Sequence, residues 1–86
     1  MILCIGEILA DLIGKEENGR YSYDMFIGGA PFNVAVNAKR AGAKVGFIGR
    51  VGKDPIGKFL ITTAKKVNLD YTDIQTDGER NTTLAI

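Results

Sequence analysis

Two short apolar runs constrain this chain more than any other feature. MILCIG, residues 1–6, is a continuous run that ends in a glycine. KVGFIGRVG, residues 44–52, is a second run with a glycine-rich exit. Continuous rather than alternating apolar residues predict strands covered on both faces, the type found in parallel sheets. Parallel strands need a crossover between them, and the intervening residues contain a helical pattern.

That pattern predicts a helix over residues 31–41. Pro31 suits a first turn, where its missing N–H costs nothing. Val34, Ala35, Val36, Ala38 and Ala41 make the helix apolar over most of its circumference. Lys39 and Arg40 sit where the helix dipole favours cations, and Gly42 is a natural C-terminal cap. A second helix starts with Asp54 as N-cap and Pro55 as first residue. Ile56, Phe59, Leu60, Thr63, Ala64 and Val67 then fall on one face. Each large member, fully buried, is worth ~1.5–3 kcal/mol, so the stripe is expected in the core. Lys65 and Lys66 close this helix and Asn68 ends it. YTDIQT and TTLAI are short strand candidates around the turn DGERN.

Between the first strand and the first helix the character changes. KEENGR carries Asn18-Gly19, a strong hairpin dipeptide. In YSYDMFI, Tyr21, Tyr23 and Met25 alternate with Ser22 and Asp24, which predicts a strand with one exposed face. Residues near 12–27 are therefore expected to form a small antiparallel flap outside the main sheet. The whole order is strand, flap, helix, strand, helix, strand, strand. That is an α/β arrangement with a parallel sheet covered by helices.

Composition narrows the function classes. The chain has 86 residues, a net charge of +1 and 45% hydrophobic residues. Length fits one small domain or part of a larger one. The apolar run TTLAI at the end of the sequence would leave strand edges bare, so the chain is expected to be a fragment. With no basic block, nucleic-acid binding lacks its electrostatic basis. No window reaches the ~18 apolar residues of a membrane span, and a cytoplasmic protein is expected. Cys4 lies in an apolar strand and there is no histidine to activate it, so it reads as core. Asn81–Thr83 matches a glycosylation acceptor, which has no meaning in that compartment.

In such sheets ligands bind at the carboxyl ends of the strands. Three features fall there: Glu7 and Asp11, Gly28-Gly29, and GRVGKDPIG. Familiar phosphate motifs fail. GGAPFN does not fit G-x-G-x-x-G, and GFIGRVGKD has five residues between Gly46 and Gly52 where a P-loop needs four. Asp11, Gly28, Gly29 and Asn33 make a better constellation, suited to a polyhydroxyl ligand. A carboxylate accepts from hydroxyls and an amide both donates and accepts. Adjacent glycines permit close backbone approach, and a helix starting at Pro31 adds unpaired N–H groups. Asn37 lies one turn further along the same face. The plainer alternative is a solvated Asp11 and a capping Asn33. No residue within the chain is singled out as catalytic or as a metal ligand.

The stretch GGAPFNVAVNAKRAGAKVGFIGRVGKDPIGKFL, from Gly28 through the Gly49, Gly52 and Gly57 series, closely resembles the first signature of the PfkB, or ribokinase-like, carbohydrate kinases. GEILADLI from Gly6 resembles the opening of the fructokinases in that family, and NTTLAI resembles the strand after its third unit. The similarity covers almost all 86 residues in order. It implies the N-terminal portion of a ribokinase-like, Rossmann-like parallel-sheet sandwich with a small antiparallel β lid, the lid strands falling near residues 12–27. It implies that Asp11 hydrogen-bonds sugar hydroxyls, that Gly28 and Gly29 line the sugar pocket, and that Asn33 contacts the sugar. It implies ATP and Mg2+ as cofactors, bound mainly by a C-terminal part that residues 1–86 lack. The aspartate base and the anion hole of the family belong to that part too, so residues 1–86 alone are not expected to transfer phosphate. The lid can pair with a second subunit, which gives Tyr21, Tyr23, Met25 and Phe26 a role at a homodimer; packing within the flap is the alternative. Ala30-Pro31-Phe32 after the glycine pair looks most like fructokinases. Ketodeoxygluconate kinases and ribokinase-type sugar kinases remain as alternatives, as does a non-catalytic sugar-binding or assembly module.

Overall fold

The computed structural model describes all of residues 1–86. Val45–Gly52 forms the middle strand, β4, of a three-stranded parallel sheet. It is flanked by β1, Ile2–Ile5, and by β5, Tyr71–Asp77. Helix α1, Ala30–Arg40, leads back into β4, and helix α2, Pro55–Lys66, links β4 to β5. Val45, Phe47 and Val51 alternate along β4 into a core shared with Phe32 and Ala35 of α1 and with Leu60 and Ala64 of α2. The rings of Phe32 and Phe47 meet edge to face, 5.2 Å between centroids, a preferred aromatic geometry.

The other face of that sheet is less covered. The MILCIG run is a strand, and within residues 1–86 one of its faces is open: Ile2 and Leu3 are exposed and Ile5 is 65% exposed. β1 is an edge strand, and the core built by the two helices reaches only one face of the sheet. Ile48 and Arg50, on the alternate register of β4, are correspondingly half-buried and exposed.

The flap is a hairpin of β2, Leu9–Glu17, and β3, Arg20–Gly28, longer at its base than residues 12–27. Asn18 and Gly19 turn it, with φ of 52° and 76°, the two positive values that a type I′ turn requires. One-sided burial does not extend along β3. Arg20 to Asp24 are exposed on both faces and Tyr21 is 77% exposed, because the tip projects past the core; burial begins at Met25.

The last strand, β6, Leu84–Ala85, does not join the main sheet. It pairs in parallel with Ala10 and Asp11 of β2, giving a second sheet of order β3-β2-β6.

Both helix ends follow the local chemistry. α1 closes with Gly42 N–H donating to the Lys39 carbonyl (3.0 Å) and Ala43 N–H to the Ala38 carbonyl (3.1 Å), the paired bonds of a Schellman motif. Beyond α2, Asn68 takes a φ of 61°. Leu60, Gly57 and Ala64 are buried, while Phe59, expected deep in the core, is half-buried with Ile56, Thr63 and Val67.

Candidate functional site

The carboxyl end of β1 meets the start of α1. Gly6 donates its N–H to the Ile48 carbonyl at 3.0 Å, and Pro31 lies close enough that a Cβ on Gly6 would stand 2.8 Å from its Cγ. Between these two elements the hairpin leaves and returns, which brings the Glu7 and Ile8 backbone, just before β2, beside Gly29 at the entry to α1. Asp11 sits near the base of β2, opposite Phe26, and Leu9 is opposite Gly28.

Two of the four candidate residues are in direct contact. The Asp11 carboxylate occupies the space into which a side chain at residue 28 would grow: a Cβ on Gly28 would overlap Oδ2 and stand 3.0 Å from Cγ. Gly28 itself is buried and Asp11 half-buried. Gly29 follows as the residue preceding α1, with φ 108°. A Cβ there would stand 2.5 Å from the Glu7 carbonyl oxygen and 3.2 Å from Ile8 Cα. Both glycines were read from the sequence as space for a ligand. In each, the space of the missing side chain is filled by the chain itself, by a carboxylate in one case and by backbone in the other.

Asn33 joins this group through its backbone, donating its N–H to the Gly29 carbonyl at 2.9 Å. Its side chain is exposed, in a shallow hollow shared with Ile27, Asn37, Arg40 and Val67; Asp11, Gly28 and Gly29 do not line that hollow.

Two contrasts mark the Asp11 region. Helix α2 is capped by Asp54, whereas α1 has no side-chain cap and no acid in its first turn. Of its first three residues only Ala30 and Phe32 carry an N–H, and neither has a side-chain partner at the positive end of the helix dipole. The second contrast concerns carboxylates. Asp54 accepts from the side chain and backbone of Thr82 and from Gly57, and these bonds hold its pKa below the usual carboxylate range. Asp70 accepts from Val45 N–H and from Lys39, which lowers its pKa likewise. Asp77 is lowered by the Glu79 N–H first and by Arg50 and Arg80 among lesser causes. The Asp11 carboxylate makes no hydrogen bond or ion pair within the chain. Asp73, in the middle of β5, and the exposed Glu7, Glu16, Glu17 and Glu79 are free as well.

Some groups near the carboxyl ends were not legible in sequence. A polar hollow beyond β4 and β5 is bordered by Arg50, Asp77, Glu79, Arg80, Asn81 and Thr83. Arg50 there donates to the Gln75 side chain at 2.7 Å and lies 3.7 Å from Asp77. These residues are up to 33 positions apart, with no spacing signal to join them. No group of three histidine, cysteine, aspartate or glutamate side chains is placed to hold a metal ion, and no helix is long and apolar enough to cross a membrane.

The pfkB family carbohydrate kinase pattern matches residues 1–86. The chain is 44% identical, over 85 residues, to a sugar kinase of Pyrococcus horikoshii, covering 95% of the chain and 27% of that protein. That kinase has a crystal structure in complex with ATP, to which the chain compares with a TM-score of 0.83 at 41% identity over 98% of the chain and 29% of the other. It is 33% identical to a 5-dehydro-2-deoxygluconokinase of Geobacillus kaustophilus, over 94% of the chain and 24% of the relative. A crystal structure of Xylella fastidiosa fructokinase with bound ATP gives a TM-score of 0.84 at 34% identity, over 96% of the chain and 28% of the other. The chain thus spans about a quarter of the length of the curated relatives it matches. The α/β fold with a parallel sheet and lid hairpin is the N-terminal part of theirs.

Proposed function

The chain belongs to the pfkB family of carbohydrate kinases, and on that premise we propose that it supplies the sugar-binding part of an ATP-dependent kinase that phosphorylates a sugar hydroxyl, with fructose as the first candidate substrate. The observation that carries this reading is the half-buried Asp11 carboxylate, free of internal partners, beside Gly28, which lies two residues before the uncapped α1. A carboxylate in that state lacks only hydroxyl donors, and a sugar brings several. The leading N–H groups of α1 provide the complementary donors for sugar oxygens.

In this reading Asp11 orients the sugar, Gly28 gives the carboxylate its room and Gly29 sets the entry into α1, while the Asn33 amide lies in a separate hollow and Asn33 contributes through its backbone bond to Gly29. The residues bind and orient; phosphoryl transfer needs in addition the stabilisation of charge on the transferred group. ATP and Mg2+ are assigned to the part of the longer relatives that these residues do not match. Residues 1–86 are accordingly the N-terminal part of one kinase domain, active only together with the rest. The cytoplasm, where ATP is made and used, is the proposed compartment. The exposed Tyr21, Tyr23 and Phe26 of the hairpin are assigned to pairing of the lid with a second copy.

A 5-dehydro-2-deoxygluconokinase is the second reading, favoured by the similarity to the Geobacillus kaustophilus relative. Assay of the whole kinase across neutral and acidic sugars separates the two. Asp11→Ala tests the site: the sugar KM should rise by about 10- to 100-fold, the worth of hydrogen bonds to a charged group, with the ATP KM unchanged. Unaltered sugar kinetics in that variant would refute the assignment. The sequence following Ile86 tests the catalytic reading, since a Gly-Ala-Gly-Asp-type turn with its aspartate base marks a kinase and its lack marks a binding module.

A further inference from the structure

Capping α2 requires one acceptor, and Asp54 provides it: Oδ1 accepts from Gly57 N–H at 2.7 Å. The same carboxylate does more. Its Oδ2 accepts from Thr82 N–H at 2.9 Å, and Oδ1 accepts from the Thr82 hydroxyl at 2.6 Å. The hydroxyl oxygen in turn accepts from Gly52 N–H at 3.0 Å. Thr82 is only 7% exposed. Four hydrogen bonds thus join the end of β4, the first turn of α2 and the residue before Thr83.

The packing leaves no slack. A Cβ on Gly52 would stand 2.5 Å from both the Arg80 carbonyl oxygen and the Thr82 nitrogen. A Cβ on Gly57 would overlap the Gly52 carbonyl and stand 2.9 Å from the Thr82 hydroxyl. Immediately after this junction the Thr83 carbonyl accepts from Ala10 N–H at 3.0 Å. Leu84 and Ala85 then pair with Ala10 and Asp11. No strand of the main sheet pairs with a strand of the lid sheet, so this junction is a hydrogen-bonded route from the core of one to the site-bearing strand of the other.

We propose that Asp54 and Thr82 are positioning residues for the sugar site: their lock holds β6 at a fixed depth against β4 and α2, and β6 in turn fixes Asp11. The consequence for sugar binding rests on the function proposed above; the mechanical coupling of Thr82 to β2 does not.

The test uses the whole kinase with two variants. Thr82→Val removes the hydroxyl at nearly constant shape, and Asp54→Ser keeps a capping oxygen for Gly57 but has no second oxygen to accept from Thr82 N–H. In both, amide hydrogen exchange at Ala10 should accelerate by about tenfold or more, while amides of the β4–β5 ladder other than Gly52, which donates to the Thr82 hydroxyl, keep their rates, the signature of local opening. The sugar KM should rise by about tenfold with the ATP KM unchanged, and Thr82→Ser should restore both readouts. Unchanged exchange at Ala10 overturns the proposal. So does a parallel rise at Ala10 and throughout β4–β5, which makes the lock a source of general stability only. A wild-type protein that phosphorylates no sugar defeats the proposed function, and the exchange measurement still decides the lock.

Discussion

The Asp11 carboxylate and Gly28 share one space: the acid lies where a side chain on residue 28 would begin. A methyl group there meets the far end of a flexible side chain, so the carboxylate swings aside at little cost to folding. Gly28→Ala should therefore change stability by less than about 1 kcal/mol. It should raise the sugar KM about tenfold or more through loss of a hydrogen bond to a charged group. Urea denaturation alongside steady-state kinetics checks the pair of outcomes, and a large stability loss with normal sugar kinetics contradicts this account.

Gly29 should behave in the opposite way. Its φ is 108° and its neighbour is the Glu7 backbone, which cannot swing aside. Gly29→Ala should destabilise the fold by roughly 1–3 kcal/mol from backbone conformation alone, before the contact with Glu7 is counted. The same loss should appear with or without sugar. Denaturation midpoints measured in both conditions decide it.

Core truncations should rank by burial. Leu60 is fully buried and Phe59 is not, so Leu60→Ala should cost ~2–5 kcal/mol and Phe59→Ala less than a fully buried phenylalanine would. Phe32→Ala, which also breaks the edge-to-face contact with Phe47, should cost ~3–5 kcal/mol. A larger loss at Phe59 than at Leu60, measured by chemical denaturation, would overturn the ranking.

Acid should unfold the protein through three carboxylates. Asp54, Asp70 and Asp77 all have folded-state pKa values below the usual range, while in the unfolded chain they titrate near ~4. A depressed folded pKa gives stability that is present above the unfolded value and is lost as pH falls through the folded one. The urea midpoint should hold steady from neutrality down to about pH 5 and drop below about pH 4. Asp70→Asn, whose amide oxygen can still accept from Val45 N–H, should make that drop shallower. A midpoint unchanged between about pH 5 and 3 would rule this out.

Much of the fold was legible because its signals are local. Pro31 and Gly42 bracket α1, Asp54 and Pro55 open α2, and Asn18-Gly19 turns the hairpin; each acts through its own backbone or a neighbour within a turn. Asp11 and Gly28 were singled out for chemistry that depends on residue type. Their mutual contact was not readable, since it arises from the pairing of Leu9 with Gly28 across a hairpin. Thr82 was read only as part of a short strand candidate and of the Asn81–Thr83 pattern. Its partner Asp54 satisfied a local rule as a helix cap, and nothing in the sequence signals a second duty 28 positions away.

The order of strands and helices, the helix caps and the lid turn were set by the amino-acid sequence itself, because propensity and hydrophobic period operate over a few residues. Tertiary structure alone decided that β6 joins the lid and that the spaces beside Gly28 and Gly29 are filled from within. Those outcomes depend on which distant segments share a volume. Close packing and hydrogen-bond satisfaction settle that only once the whole chain is folded.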